Sequence, residues 1–172
     1  MQRLEPVNAA DERTQLSQFL DYQRATVLMK VEGLDRDQMN TTTAASSLTL
    51  AGLLKHLAVV EDGWFRGALL GEPRAPWYRH VDGDADPDWD FRTAADDDPA
   101  DLIALYERTC GHSRDAVASV ATLDDLTAEV PRRGGLQRYN LRWVMLHVIS
   151  ETARHAGHAD LLREAMDGAT GR

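Results

Sequence analysis

Apolar residues along the chain fall into four stretches with helical spacing, separated by segments that lack it. In the first, over about residues 10–32, Leu16, Phe19, Leu20, Val27 and Val31 recur every three or four positions, and Gly33 follows as a stop. The second covers about residues 49–70. Thr49 is its N-cap, and Leu53, His56, Val60 and Trp64 share one face before Gly71. The third, about 99–120, opens on Asp98-Pro99, a cap followed by a residue whose missing N–H is not needed in the first turn. The fourth runs over about 140–166, from Asn140 to just before Gly168. β-Branched and aromatic residues alternate over no useful length, so strands are not expected. Four helices of roughly 20 residues predict an all-α protein, a four-helix bundle forming a single domain over residues 1–172.

The long connection from Glu72 to Asp97 breaks this pattern. Loops of that length are functional or disordered more often than not, and Trp77, Tyr78, Trp89 and Phe91 give it more aromatic character than a disordered linker has. It is expected to pack across one end of the bundle. Its stretch DGDADPDWD begins like a calcium-binding loop, with Asp82, Asp84 and Asp86. Pro87 stands where that loop needs glycine, and Thr93 where it needs glutamate, so the stretch reads as a solvated acidic turn.

Composition narrows the function classes. A net charge of −9 argues against a nucleic-acid surface, which needs clustered Lys and Arg. The first residues lack the apolar core of a signal peptide, and no run approaches 18 apolar residues. A soluble, cytoplasmic protein that neither enters nor binds a membrane is therefore expected. Cys110, the sole cysteine, rules out an internal disulfide and a thiolate cluster, and its mid-helix setting reads as a packed thiol. The basic residues are 17 Arg and 2 Lys, a bias typical of GC-rich bacterial genomes.

The candidate chemistry lies in HVISETARHAGHAD, residues 147–160. At roughly 100° per residue, His147, Glu151, His155 and His158 share one helical face. Residues one turn apart can chelate one ion, as do the pairs His147/Glu151 and Glu151/His155. All four cannot reach a single ion, because His147 and His158 lie about 16 Å apart along the axis. His56, flanked by Leu53, Leu57 and Val60, faces inward and is the obvious donor from a second helix. A hydrogen-bonded core histidine beside a polar seam would give the same spacing, and spacing alone admits both.

The stretches LRWVMLHVISETARHAGHADLLREAMDG and SLTLAGLLKHLAVVEDGWF decide between them by resemblance. They resemble the last and second helices of the DinB-like superfamily of YfiT-like metalloenzymes, in the expected order and about 95 residues apart. The likeness extends over essentially the whole chain and is strongest to a branch common in actinobacteria. It implies an up-down-down-up bundle, a homodimer, and a metal held by one histidine on the second helix and two residues one turn apart on the last. Many members carry His-x-x-x-His there. The mycothiol-dependent maleylpyruvate isomerase branch carries Glu-x-x-x-His, and this chain has Glu151 and His155 in that pattern. The implied ligands are His56, Glu151 and His155, with His147 and His158 beside them.

Two imidazoles and a carboxylate leave a four-coordinate zinc or nickel ion with an open position, the arrangement of a catalytic site. By its resemblance to the superfamily's thiol transferases, the chain is expected to use a low-molecular-weight thiol, mycothiol in a GC-rich actinobacterial host. The thiol would be a cosubstrate that attacks a small electrophile, giving thiol transfer or isomerisation. A hydrolase using metal-activated water is an alternative, and a non-catalytic, stress-associated metal- or ligand-binding bundle is another. For proton transfer His158 is favoured over Glu61, which points about 140° away from His56. Arg142 and Arg154 are candidates for holding a substrate carboxylate. Trp64 and Trp143 read as core or interface residues.

Overall fold

The computed structural model describes residues 2–43, 46–132 and 135–170. Helix α1 spans Glu12–Val31, α2 Arg36–Met39 and α3 Leu50–Glu61, which runs on as π-helical turns over Asp62–Leu69. Helix α4 (Trp89–Thr93) leads through a 3₁₀ turn at Ala94–Asp96 to α5 (Pro99–Ser119). Strands β1 (Val130–Arg132) and β2 (Gly135–Gln137) form a small antiparallel hairpin before α6, Leu141–Asp167.

Each long helix begins where its capping chemistry dictates. The side chains of Asp11, Thr49, Asp98 and Asn140 accept backbone N–H bonds from the first turns of α1, α3, α5 and α6. At the far end of α6, Gly168 takes a left-handed conformation (φ 76°) that ends the helix at little steric cost.

The helices form an up-down-down-up bundle. Helix α1 runs parallel to α6, because Glu12 meets Arg142 at one end and Lys30 meets Asp160 at the other. Val27 and Val31, late in α1, pack in one cluster with Leu50 and Leu53, early in α3, so those two helices are antiparallel. Leu69 clusters with Ala116, and Lys55 pairs with Asp97, so α3 and α5 run the same way. The core has two parts, one around Leu54, Leu57, Tyr106 and Leu162, the other around Leu20, Phe65, Val144 and Met145. Buried Arg24 and Glu61 join α1 to α3 through two hydrogen bonds of 2.7 and 2.6 Å.

Three features depart from the sequence expectation. The helix expected over 49–70 is α-helical only to Glu61 and π-helical beyond, a change that apolar spacing does not reveal. A hairpin stands where no strand was expected, its residues too few to alternate visibly. The 72–97 connection lies lengthwise on α3 rather than across one end. Near one end of this segment the Ala75 N–H and the Tyr78 hydroxyl both donate to Asp62 Oδ2. Near the other, a Cβ on Gly52 would sit 3.1 Å from the Phe91 ring, so glycine there lets α4 approach α3 closely. The acidic turn satisfies itself: Asp82 accepts from the Asp84 and Ala85 N–H groups, and Asp86 pairs with Arg92.

Candidate metal centre

Helices α3 and α6 bring His56, Glu151 and His155 together. One donor atom from each lies within 4.8 Å of the other two, a spread that one ion can bridge. Glu151 Oε1 is 3.1 Å from His155 Nε2 and 3.6 Å from His56 Nε2, so both imidazoles turn Nε2 toward the same oxygen. The two rings meet edge to face with centroids 4.9 Å apart.

Each ring is held by its outer nitrogen. His56 Nδ1 lies 2.9 Å from Asp90 Oδ2, and a carboxylate oxygen can only accept. Nδ1 therefore carries the hydrogen of the neutral ring, leaving the Nε2 lone pair facing Glu151. Phe91 stacks on the same ring at 4.7 Å. His155 Nδ1 lies 3.3 Å from His158 Nδ1, so His158 occupies the outer position of the second ring. Outer partners of this kind fix the tautomer and aim the ring of a metal-binding histidine.

Protonation also suits a metal. Burial pushes the Glu151 carboxyl up, but His155 and then His56 outweigh it and hold the group below its ordinary range. For His155, burial and then His56 push the imidazole below its ordinary 6.5, against the opposing pull of Glu151. A carboxylate and a neutral imidazole are the forms a cation needs. The donor set therefore fits a divalent ion with one position to spare.

These shifts carry a stability consequence with the same sign for both groups. Each folded-state pKa is depressed, so between the ordinary value and the folded value the unfolded chain binds more protons. Metal-free protein should lose stability as pH falls below about 6.5 through His155, and again below about 4.5 through Glu151. Urea unfolding of chelator-treated protein across this range checks it. The upper part of the slope should be smaller in His155→Gln.

The remaining sequence candidates are not among the three donors. His147, one turn before Glu151, stacks on Trp143 at 4.9 Å and meets Trp64 edge-on at 4.7 Å. Tyr139 covers the other side of Trp143, so Trp64 and Trp143 belong to an aromatic cluster beside the site. Arg142 binds Glu12 and Asp124 at the start of α6, and Arg154 is exposed on the same helix. Glu61 is buried against Arg24. Cys110 is fully buried, and burial followed by Glu61 pushes its thiol far above the usual range, so it is a protonated packing residue.

Asp90 is the residue that sequence reasoning missed. It is 7% exposed in the five-residue α4, which has no periodicity to signal that Asp90 faces His56. Asp90→Asn is expected to weaken metal affinity by about 10- to 100-fold while leaving the fold intact, because the amide can present its N–H₂ to Nδ1 and favour the wrong tautomer. Competition with a chromophoric chelator measures this directly.

Comparison with known proteins agrees with the fold and adds a family. No curated protein matches the chain. A conserved protein from Enterococcus faecalis, known from its crystal structure, superposes with a TM-score of 0.73 over 94% of this chain and 100% of its own. At 12% identity that likeness speaks for the fold alone. Among the described residues, no helix is long and apolar enough to cross a membrane. Sequence likeness over residues 15–168, which hold α3, α4 and α6 and so every residue of the centre, shows that the chain belongs to the mycothiol-S-transferase family, within the DinB/YfiT-like superfamily.

Proposed function

We propose that the protein is a cytoplasmic, divalent-metal-dependent transferase that joins a low-molecular-weight thiol, mycothiol in its host, to a small electrophile. The convergence of His56, Glu151 and His155 within 4.8 Å carries this reading, since the set offers three ligands and room for a fourth. Zinc or nickel suits the donors. When bound, such an ion supplies a Lewis acid that keeps a thiol, otherwise of pKa about 8.5, ionised at neutral pH.

The chain's own residues do the rest. Asp90 and Phe91 fix the His56 ring, and Glu151 lies between the two Nε2 atoms. We assign uptake of the thiol proton to His158, which is half-buried beside His155. In the transfer step a carbon–sulfur bond forms, and the bond to the leaving group breaks with its electron pair going to that group. Where the thiol later leaves instead, the net result is isomerisation. Homodimerisation belongs to the same reading and is checked by light scattering.

The test is an assay of purified protein with mycothiol and a haloalkyl electrophile such as monobromobimane, with mass spectrometry of the adduct. The loaded protein should form the thioether and release halide faster than the uncatalysed reaction, and chelated protein should add nothing to the uncatalysed rate. His158→Ala should retain its metal yet lose about 10²-fold in kcat, with the acidic limb of its pH profile altered. Unchanged kcat and profile would remove His158 from proton transfer.

A further inference from the structure

A cavity of about 170 Å³ lies between α3 and the 72–97 connection. Val59 of α3 and Gly63 of the π-helical turns line one side, and Tyr78, Val81, Pro87 and Trp89 the other. Asp90 belongs both to this cavity and to the metal centre, because it lines the one and its Oδ2 meets His56 Nδ1 at 2.9 Å. Val59 comes three residues after His56 and Gly63 seven, so the cavity extends from about 5 to about 10 Å beyond that histidine along the helix axis. A small molecule with its reacting end at the centre can span that distance.

The polar groups around the cavity have partners of their own. Asp90 Oδ1 accepts the Phe91 N–H, leaving Oδ2 to His56. Asp86 pairs with Arg92, and the Tyr78 hydroxyl donates to Asp62 Oδ2. Exposed Arg74 donates Nη1 to the Val81 carbonyl at 2.8 Å and lays its guanidinium over the Tyr78 ring. The cavity therefore offers a ligand apolar and aromatic surface, and a charged ligand entering it would give up water for groups already engaged. An apolar cavity of about 150 Å³ holds one benzene ring, so a single ring fits here. Gly63 keeps that room open: a Cβ there would meet nothing within 4 Å, so a larger side chain has space to enter.

We infer that this cavity is a binding site for an uncharged, single-ring apolar group. On the transferase reading it is the subsite that holds that part of the electrophile while the reacting carbon lies at the metal centre. Only this second half rests on that reading.

Benzyl alcohol, with benzoate as its charged counterpart, probes the cavity on the metal-loaded full chain. It should shift the Trp89 indole N–H signal saturably over about 1–10 mM in proton–nitrogen correlation spectra, the signal being assigned with Trp89→Phe. Benzoate should bind at least roughly tenfold more weakly. Gly63→Leu should abolish the shift, and Val59→Phe, which fills the cavity from the neighbouring turn, covers the case that Gly63→Leu folds poorly. Turnover then tests the subsite. Benzyl bromide, whose carbon–sulfur bond forms as bromide leaves, should lose about tenfold or more in kcat/KM in Gly63→Leu, whereas iodomethane, which has no ring, should react as with the wild type. Benzyl alcohol binding that survives both substitutions, or benzoate binding as tightly, overturns the cavity assignment. Equal losses for the two electrophiles, or no loss for either, overturn the subsite. If the wild type turns over neither while benzyl alcohol still binds, the transferase reading and the subsite fall and the cavity assignment stands.

Discussion

Alanine at His56 or at His155 is expected to reduce bound metal from about one ion per chain to near zero, and to abolish thiol transfer with it. Each replacement removes one of three donors whose atoms lie within 4.8 Å, leaving two protein ligands for the ion. For His155→Ala the loss is compounded, because Glu151 then keeps only the 3.6 Å approach of His56. His112→Ala is the control: that histidine is exposed on α5 and is not one of the three donors, so its loss should alter neither metal content nor turnover. The folded state should persist in both ligand variants, since the substitutions leave the buried apolar packing of α3 and α6, including Leu54, Leu57 and Val148, untouched. Elemental analysis beside circular dichroism separates loss of metal from loss of structure. Full metal occupancy in both variants would place the site elsewhere.

Arg24→Met should be the most destabilising single change outside the metal centre. Arg24 and Glu61 are 2% and 1% exposed, and removing the guanidinium strands a carboxylate between α1 and α3. Burial disfavours the Arg24 charge, but Glu61 more than offsets this and raises its pKa, so the guanidinium stays charged. Breaking such a pair costs about 3–5 kcal/mol, which for a chain of this length lowers Tm by roughly 10 °C. The double variant Arg24→Met/Glu61→Leu should recover most of that, since an apolar pair of similar volume is often neutral or better. Thermal and urea unfolding of the two variants decides the matter. A double variant no more stable than the single would show that the pair stabilises the fold in its own right.

The clustering of the three candidate donors was legible because it depends on local spacing, while reading them as a metal set took the family resemblance. Glu151 and His155 sit one turn apart, and a helix places such residues side by side whatever surrounds it. His56 was legible as the polar residue among Leu53, Leu57 and Val60. What stayed hidden depends on distant contacts. Asp90 reaches His56 from a stretch with no period, across 34 residues. Arg142 resembles a substrate-binding residue in sequence, and only folding reveals Glu12, 130 residues away, as its partner. The π-helical turns beyond Glu61 are invisible because the same apolar residues suit either winding. By contrast, α2 did leave a signal: Asp35 and Gln38 form a capping box, and that pattern is readable in DRDQM.

The match over residues 15–168 rests on sequence, whereas the convergence of three donors rests on where α3 and α6 lie in space.

Metal analysis of protein purified without a histidine tag, combined with spectroscopy of the cobalt-substituted form, tests the centre most directly. About one zinc or nickel ion per chain, with a cobalt–sulfur charge-transfer band appearing on addition of thiol, is the expected result. Protein that takes up no metal even after reconstitution, or a cobalt form blind to thiol, would contradict a metal-dependent thiol transferase.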